Sequence, residues 1–223
     1  MEENMKVKLI NYSQSTDGKN LLEQVAYAAR VSNPSNQNNN ETAEKLVRYL
    51  IKHKHWSPLE MVSVCLEIET TRDIARQILR HRSFSFQEFS QRYAVADLGW
   101  EFKQTRMQDM KNRQNSIEVD SNDDIQRLIS IQWQNKQAEL VHQVENAYEW
   151  ALKNGIAKEQ ARAVLPEGIT LSRMYMNGTL RSWVHYIQLR SSNGTQKEHQ
   201  QIALSCADVI EPIFPMIKEF VSA

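Results

Sequence analysis

The chain has 223 residues, and its 27 lysines and arginines balance 27 aspartates and glutamates, so no global charge favours a nucleic-acid or membrane-surface partner. Cys65 and Cys206 stand alone without CxxC spacing, no charged-then-apolar leader opens the chain, and no apolar run approaches a membrane span. These features argue against a disulfide scaffold, secretion or membrane insertion and point to a cytoplasmic protein. Gly18, Gly99, Gly155, Gly168, Gly178 and Gly194 lie too far apart for a GxGxxG fingerprint or a Walker-type loop. If the protein binds a nucleotide, side chains must hold the phosphates.

Residues 6–12 read as a strand and residues 21–31 as a helix that gives out in the polar loop 32–40. Ala43, Leu46, Val47, Leu50 and Ile51 then recur at helical spacing up to the turn at Ser57-Pro58. Val62, Val64, Leu66 and Ile68 alternate with polar residues and Cys65, the period of a strand with one buried face. Thr71 is placed to cap a helix reaching Arg80, with Ile74 and Ile78 inward and Arg72, Arg76 and Arg80 on another face. Residues 99–124 are polar and aperiodic, an inserted excursion or mobile loop. A long helix is expected over 125–154, although no single apolar stripe persists through it. A short helix to Leu165, an extended piece over 169–176, a helix over 179–190 and a last helix from Thr195 to Pro212 complete the order. The mixture predicts one α+β domain over 1–223, with a mostly antiparallel sheet flanked by helices.

The densest chemistry is Arg80-His81-Arg82, followed by Ser83-Phe84-Ser85-Phe86-Gln87-Glu88-Phe89 and then Ser90-Gln91-Arg92-Tyr93. Arginine offers a planar fork of donors suited to phosphate and carboxylate and keeps its charge when partly desolvated, so such a cluster suits an anionic ligand. On residue type alone, a solvated basic helix end with ordinary ion pairs explains it equally well.

Arg-His-Arg, seven residues and Ser, as Arg80 to Ser90 stand, resembles the signature of the flavin-dependent thymidylate synthases. Three further blocks are similar to that family: His55-Trp56-Ser57-Pro58-Leu59-Glu60, Ala161-Arg162-Ala163-Val164-Leu165-Pro166, and Leu180 to Arg190 with Gln196 and Glu198 after it. Four ordered blocks make a chance match far harder than one short motif. The resemblance implies methylation of dUMP to dTMP, with FAD as hydride carrier and methylenetetrahydrofolate and NADPH as co-substrates. It also implies a homotetramer whose sites lie between subunits. The FAD contacts it implies are His55, Ser57, Glu60, Arg80, His81, Arg82, Ser83, Arg181 and His185. The dUMP contacts are Gln77, Glu88, Phe89, Ser90, Gln91, Arg92, Arg162 and Arg190, with Arg190 the catalytic residue. Gly194 departs from the family, where a polar residue, often histidine, helps to contact flavin; glycine has no side chain for that contact.

No metal is expected, because His53, His55, His81 and Cys65 lack finger-like spacing and Cys65 sits within an alternating strand. Cys65 and Cys206 read as buried small hydrophobes, and Trp100, Trp133, Trp150 and Trp183 as packing residues. Two rivals remain: a non-catalytic nucleic-acid binder using the basic surface from Arg72 to Arg92, and a flavoprotein of the same fold acting on another pyrimidine.

Overall fold

A computed structural model describes residues 6–222. In chain order the elements are β1 (Val7–Tyr12), α1 (Leu21–Ala29), α2 (Ala43–Lys52), β2 (Ser63–Thr71), α3 (Arg72–Ile78), β3 (Ser85–Glu88), β4 (Arg106–Gln108), β5 (Ser116–Glu118), α4 (Asp124–Lys153), α5 (Lys158–Ala161), β6 (Leu171–Thr179), α6 (Leu180–Arg190) and α7 (Lys197–Ile210). The class is α+β: an antiparallel four-stranded sheet in the order β1-β2-β6-β3, flanked by helices, with a separate β4-β5 hairpin. Two compact units make up the chain. The first takes in residues 6–68, 79–87 and 174–222, and the second residues 69–78 and 88–173.

The first unit owes its core to alternation and amphipathicity. On β2, Val64, Leu66 and Ile68 are fully buried between half-buried Cys65 and Glu67, as a one-sided strand requires. β1 pairs antiparallel with β2, and a register shift between Leu9 and Asn11 leaves Ile10 as a bulge that is 40% exposed on this edge strand. Asn20 caps α1 in a reciprocal box: its side chain accepts from the Glu23 amide, and Glu23 accepts from the Asn20 amide, 2.9 Å each. α2 closes in a Schellman turn, in which His55 N–H reaches Leu50 C=O (2.8 Å) and Lys54 N–H reaches Ile51 C=O (3.0 Å), with Lys54 at φ 59°. That left-handed residue turns His55 out of the helix.

Thr179 caps α6 by accepting from the Ser182 amide. α6 buries Trp183, Val184, Tyr186 and Ile187 beside α7, which contributes Ile202, Ala203, Cys206 and Ile210. Trp183 is wholly enclosed, and its indole N–H donates to the Val64 carbonyl at 3.0 Å, so this buried donor is satisfied.

In the second unit, Asp123 caps the 30-residue α4 by accepting from the Ile125 and Gln126 amides. Its buried residues, Gln137, Val141, Val144, Tyr148 and Ala151, run from mid-helix to the C-terminal end, where Val144, Tyr148 and Ala151 form a core cluster with Ala161 and Leu165. Gln137 replaces a missing ladder partner: its Oε1 accepts from Lys103 N–H (2.7 Å) and its Nε2 donates to Lys103 C=O (3.1 Å).

Several expectations need correction. The expected loop over 99–124 carries the β4-β5 hairpin, paired from Arg106–Glu118 to Gln108–Ser116. The helix after Thr71 ends at Ile78, and Thr71 belongs to β2, its hydroxyl donating to Asp73 and accepting from Lys103 Nζ at 2.7 Å. Arg72, read on a different face from the inward Ile74 and Ile78, is also buried. Cys206 is buried, and burial pushes its thiol pKa up, but Cys65 is only half-buried. Trp183 packs as expected, whereas Trp133 and Trp150 are exposed.

Candidate functional site

The first unit contains every residue expected to touch flavin, together with Arg190. Arg80 and Arg82 are exposed in the turn after α3, and among the described residues neither guanidinium pairs with a carboxylate. Arg181, at the start of α6, is instead paired with Glu60, both about two-fifths exposed. His185, one turn further, meets the Trp56 ring edge-on at 4.7 Å, and burial followed by the charge of Arg181 lowers its pKa. His55 and Ser57 are exposed on the turn between α2 and β2, and Ser83 is exposed just before Phe84. Two uncommitted guanidinium groups, with the hydroxyls of Ser57 and Ser83 and the rings of His55 and His185 in the same unit, form a donor set that fits a pyrophosphate and a ring system without a glycine-rich loop.

Arg190 closes α6, where a cation is favoured by the helix dipole. Its Nε donates to His81 Nε2 at 2.9 Å. Burial, then the charges of Arg190 and Arg80, hold the His81 pKa down to about 4.

The remaining residues expected at dUMP lie in the second unit, which carries a cleft of about 410 Å³ lined by Arg72, Arg76, Gln91, Glu159, Arg162, Ala163, Leu165 and Glu167. Gln91 is buried and Arg162 half-buried in its wall. Arg162 Nε donates to the Glu159 carbonyl at 3.3 Å, but among the described residues its guanidinium meets no carboxylate. Arg92 is paired with Glu159 at 3.3 Å. Glu88 is braced from three sides: by Ser172 Oγ at 3.0 Å, Arg72 Nη1 at 3.4 Å and Arg76 Nη1 at 3.6 Å. Glu167 lies 3.1 Å from Arg76, and this hydrogen bond, then the charges of Arg76 and Arg72, keep its carboxyl below the usual range. Ser90 is exposed, and among the described residues its hydroxyl has no hydrogen-bond partner; its carbonyl accepts from the Tyr93 and Ala94 amides. Phe89 is half-buried, with its amide donating to the Arg173 carbonyl, and Gln77 is half-buried on α3.

Arg72 and Arg76 were missing from the sequence-derived site. Their recurrence with Arg80 every fourth residue was visible, but it located a face of a helix rather than a cleft.

The family model for thymidylate synthase complementing protein matches residues 8–216. The chain belongs to the flavin-dependent thymidylate synthase family. It is similar to the probable flavin-dependent thymidylate synthase of Paramecium bursaria Chlorella virus 1, with 49% identity over 215 residues, covering 96% of this chain and 97% of the relative. The flavin-dependent thymidylate synthase of Synechocystis is 48% identical over 193 residues, 86% of each chain. Among solved structures, a UMP/dUMP methylase, PolB from Streptomyces cacaoi bound with 5-Br dUMP, superposes with a TM-score of 0.78 at 26% identity, over 96% of this chain and 93% of that one. All four sequence blocks lie inside the span matched by the flavin-dependent thymidylate synthase family.

Proposed function

We propose that the protein is a flavin-dependent thymidylate synthase: dUMP, methylenetetrahydrofolate and NADPH with a proton yield dTMP, tetrahydrofolate and NADP. The observation that carries this is the arginine-lined cleft, in which Arg162 offers a guanidinium not neutralised by any described carboxylate. Its volume suits a nucleotide-sized ligand. The family relatives and the dUMP-analogue-bound neighbour support the same substrate.

When bound, FAD supplies hydride transfer. His55, Ser57, Glu60, Arg80, His81, Arg82, Ser83, Arg181 and His185 hold it, the free cations of Arg80 and Arg82 taking the pyrophosphate. Gln77, Glu88, Phe89, Ser90, Gln91, Arg92 and Arg162 bind dUMP. Ser90 and Arg162 take the phosphate, and braced Glu88 fixes the loop that carries Phe89 and Ser90. Arg190 stabilises negative charge on the pyrimidine ring as its C5 attacks the one-carbon unit. The chain acts in the cytoplasm as one functional domain and assembles as a homotetramer. Exposed Ile125, Leu128, Ile129, Trp133 and Leu140 on one face of α4 support assembly through an apolar surface.

Rescue of a thymidine-requiring strain, together with a yellow protein whose absorbance bleaches on reduction, is the expected result. Soluble protein that neither rescues growth nor makes dTMP in vitro defeats the assignment. Because the structural neighbour is a UMP/dUMP methylase, UMP is the second substrate to assay; turnover of UMP in preference to dUMP establishes the other pyrimidine reading. Sedimentation followed by flavin absorbance tests assembly, with a monomer holding stoichiometric FAD as the contrary outcome.

A further inference from the structure

An arginine used to steady charge on a substrate ring must present its guanidinium in one orientation, and a side chain with four rotatable bonds does not do so unaided. The first unit supplies a hold for Arg190. Its Nε–H donates to His81 Nε2 at 2.9 Å, and among the described residues the two terminal nitrogens have no partner. The fork is therefore anchored at its stem and left open at its tip.

The anchor is itself fixed. The His81 ring stands edge-on to Tyr186, with centroids 4.9 Å apart at 87°. Tyr186 is buried, and its hydroxyl lies 3.1 Å from Nε2 of His199, a fully buried histidine. The His81 carbonyl accepts from the Phe84 amide at 3.2 Å, and the Phe84 ring packs on Trp183 at 4.8 Å. Both the ring and the backbone of His81 are thus tied to the aromatic core behind α6.

The protonation state follows from the donor. Arginine always donates through Nε, so Nε2 of His81 carries the lone pair and Nδ1 carries the hydrogen. Nε2 is then committed to Arg190. The low pKa of His81, set first by burial and then by Arg190 and Arg80, agrees with a neutral ring.

We propose that His81 is the positioning residue for Arg190: its Nε2 fixes the guanidinium stem and leaves the two terminal nitrogens for the pyrimidine. Placing Arg190 at the pyrimidine rests on the proposed function; the hold itself does not.

His81→Phe keeps an aromatic ring against Tyr186 and removes the acceptor, whereas His81→Gln restores an acceptor oxygen. His81→Phe is expected to lower kcat, read at saturating FAD, by roughly ten- to a hundredfold, with KM for dUMP within about threefold of the parent. His81→Gln is expected to recover most of that loss. In arginine-labelled protein without substrate, the Arg190 Nε–H resonance, assigned through Arg190→Lys, exchanges slowly in the parent and rapidly in His81→Phe. Parent-like kcat with a protected Nε–H in His81→Phe overturns the proposal, as does loss of flavin with that proton still protected. Should His81→Phe fail to fold, histidine nitrogen shifts in the unmodified protein decide between a bare Nε2, as expected, and a protonated Nε2, which overturns it. If the parent makes no dTMP, the functional assignment fails, while the exchange and nitrogen-shift measurements still test the hold.

Discussion

The ring of Phe84 occupies the space that a Cβ on Gly178 would need: the ideal Cβ position lies 2.4 Å from Phe84 Cδ1 and 2.5 Å from Cε1. Phe84 is only 8% exposed and is packed against Trp183 and Tyr186, so it cannot swing aside cheaply. Gly178→Ala should therefore lower stability by roughly 1–3 kcal/mol, read as a reduced urea midpoint at unchanged slope. Gly194→Ala meets nothing within 4 Å and serves as the control, with little change expected. Equal midpoints for the two variants would show that the Phe84 contact is readily relieved.

A second prediction concerns the floor of the cleft. Arg72 is 6% exposed, with Glu88 3.4 Å and Glu167 3.6 Å from its guanidinium, whereas the Arg76 side chain is about half exposed. Arg72→Ala leaves Glu88 with only Ser172 and the longer Arg76 contact, an under-satisfied and mostly buried carboxylate. A loss of roughly 1–3 kcal/mol in denaturant unfolding is expected, with dUMP binding weakened about tenfold. Arg76→Ala should cost less than about 1 kcal/mol. If both variants unfold at the same midpoint, the buried guanidinium is no better anchored than the exposed one.

The contrast between these arginines also shows what local sequence can carry. Val64, Leu66 and Ile68 declare a one-faced strand because alternation is a property of neighbours, and the Asn20–Glu23 cap and the Thr179 cap are equally local. Arg72 looks like Arg76 in the sequence, since what buries it are Glu88 and Glu167, which only the fold brings near. β6 runs to Thr179, beyond the expected end at residue 176, because Asn177-Gly178 resembles a turn until Phe84 supplies the reason for glycine. The β4-β5 hairpin has three-residue strands, too short for a period to register. The chemistry-bearing residues were legible through their ordered resemblance to a family, while the His81–Arg190 contact was not, since it joins positions far apart in the chain.

Acid should unfold the protein by way of its enclosed histidines. Burial, then Arg190 and His81, push His199 down to about 3, and His81 sits at about 4, against an ordinary value near 6.5. The unfolded chain takes up protons below about pH 6.5 that the native state refuses. The stabilising contribution is thus complete above that pH and drains away as pH falls through about 4 and then 3. The melting temperature should fall steadily between about pH 6.5 and 4, before most carboxylates titrate. His199→Gln removes one of these groups and should shrink the fall, even if it lowers the melting temperature at pH 7. An unchanged pH slope in that variant would assign the acid sensitivity to other groups.

The last prediction separates Arg190 from Ser90. A serine hydroxyl is a poor nucleophile until a base removes its proton, and among the described residues no side chain hydrogen-bonds the Ser90 hydroxyl. Nε2 of His81, whose lone pair would be needed for such a base, is already taken up by Arg190. In the proposed function Ser90 binds the dUMP phosphate, so Ser90→Ala should keep measurable turnover while raising KM for dUMP. Arg190 is different: its stem is fixed, its terminal nitrogens are open, and a preorganised cation facing charge that grows in the transition state is worth about 3 kcal/mol. Arg190→Ala should then reduce kcat by roughly a hundredfold or more, with flavin content little changed. Steady-state kinetics with parallel dUMP titrations decide between them. An inactive Ser90→Ala enzyme that still binds dUMP would restore the nucleophile, and a fully active Arg190→Ala enzyme would take the guanidinium out of the chemistry.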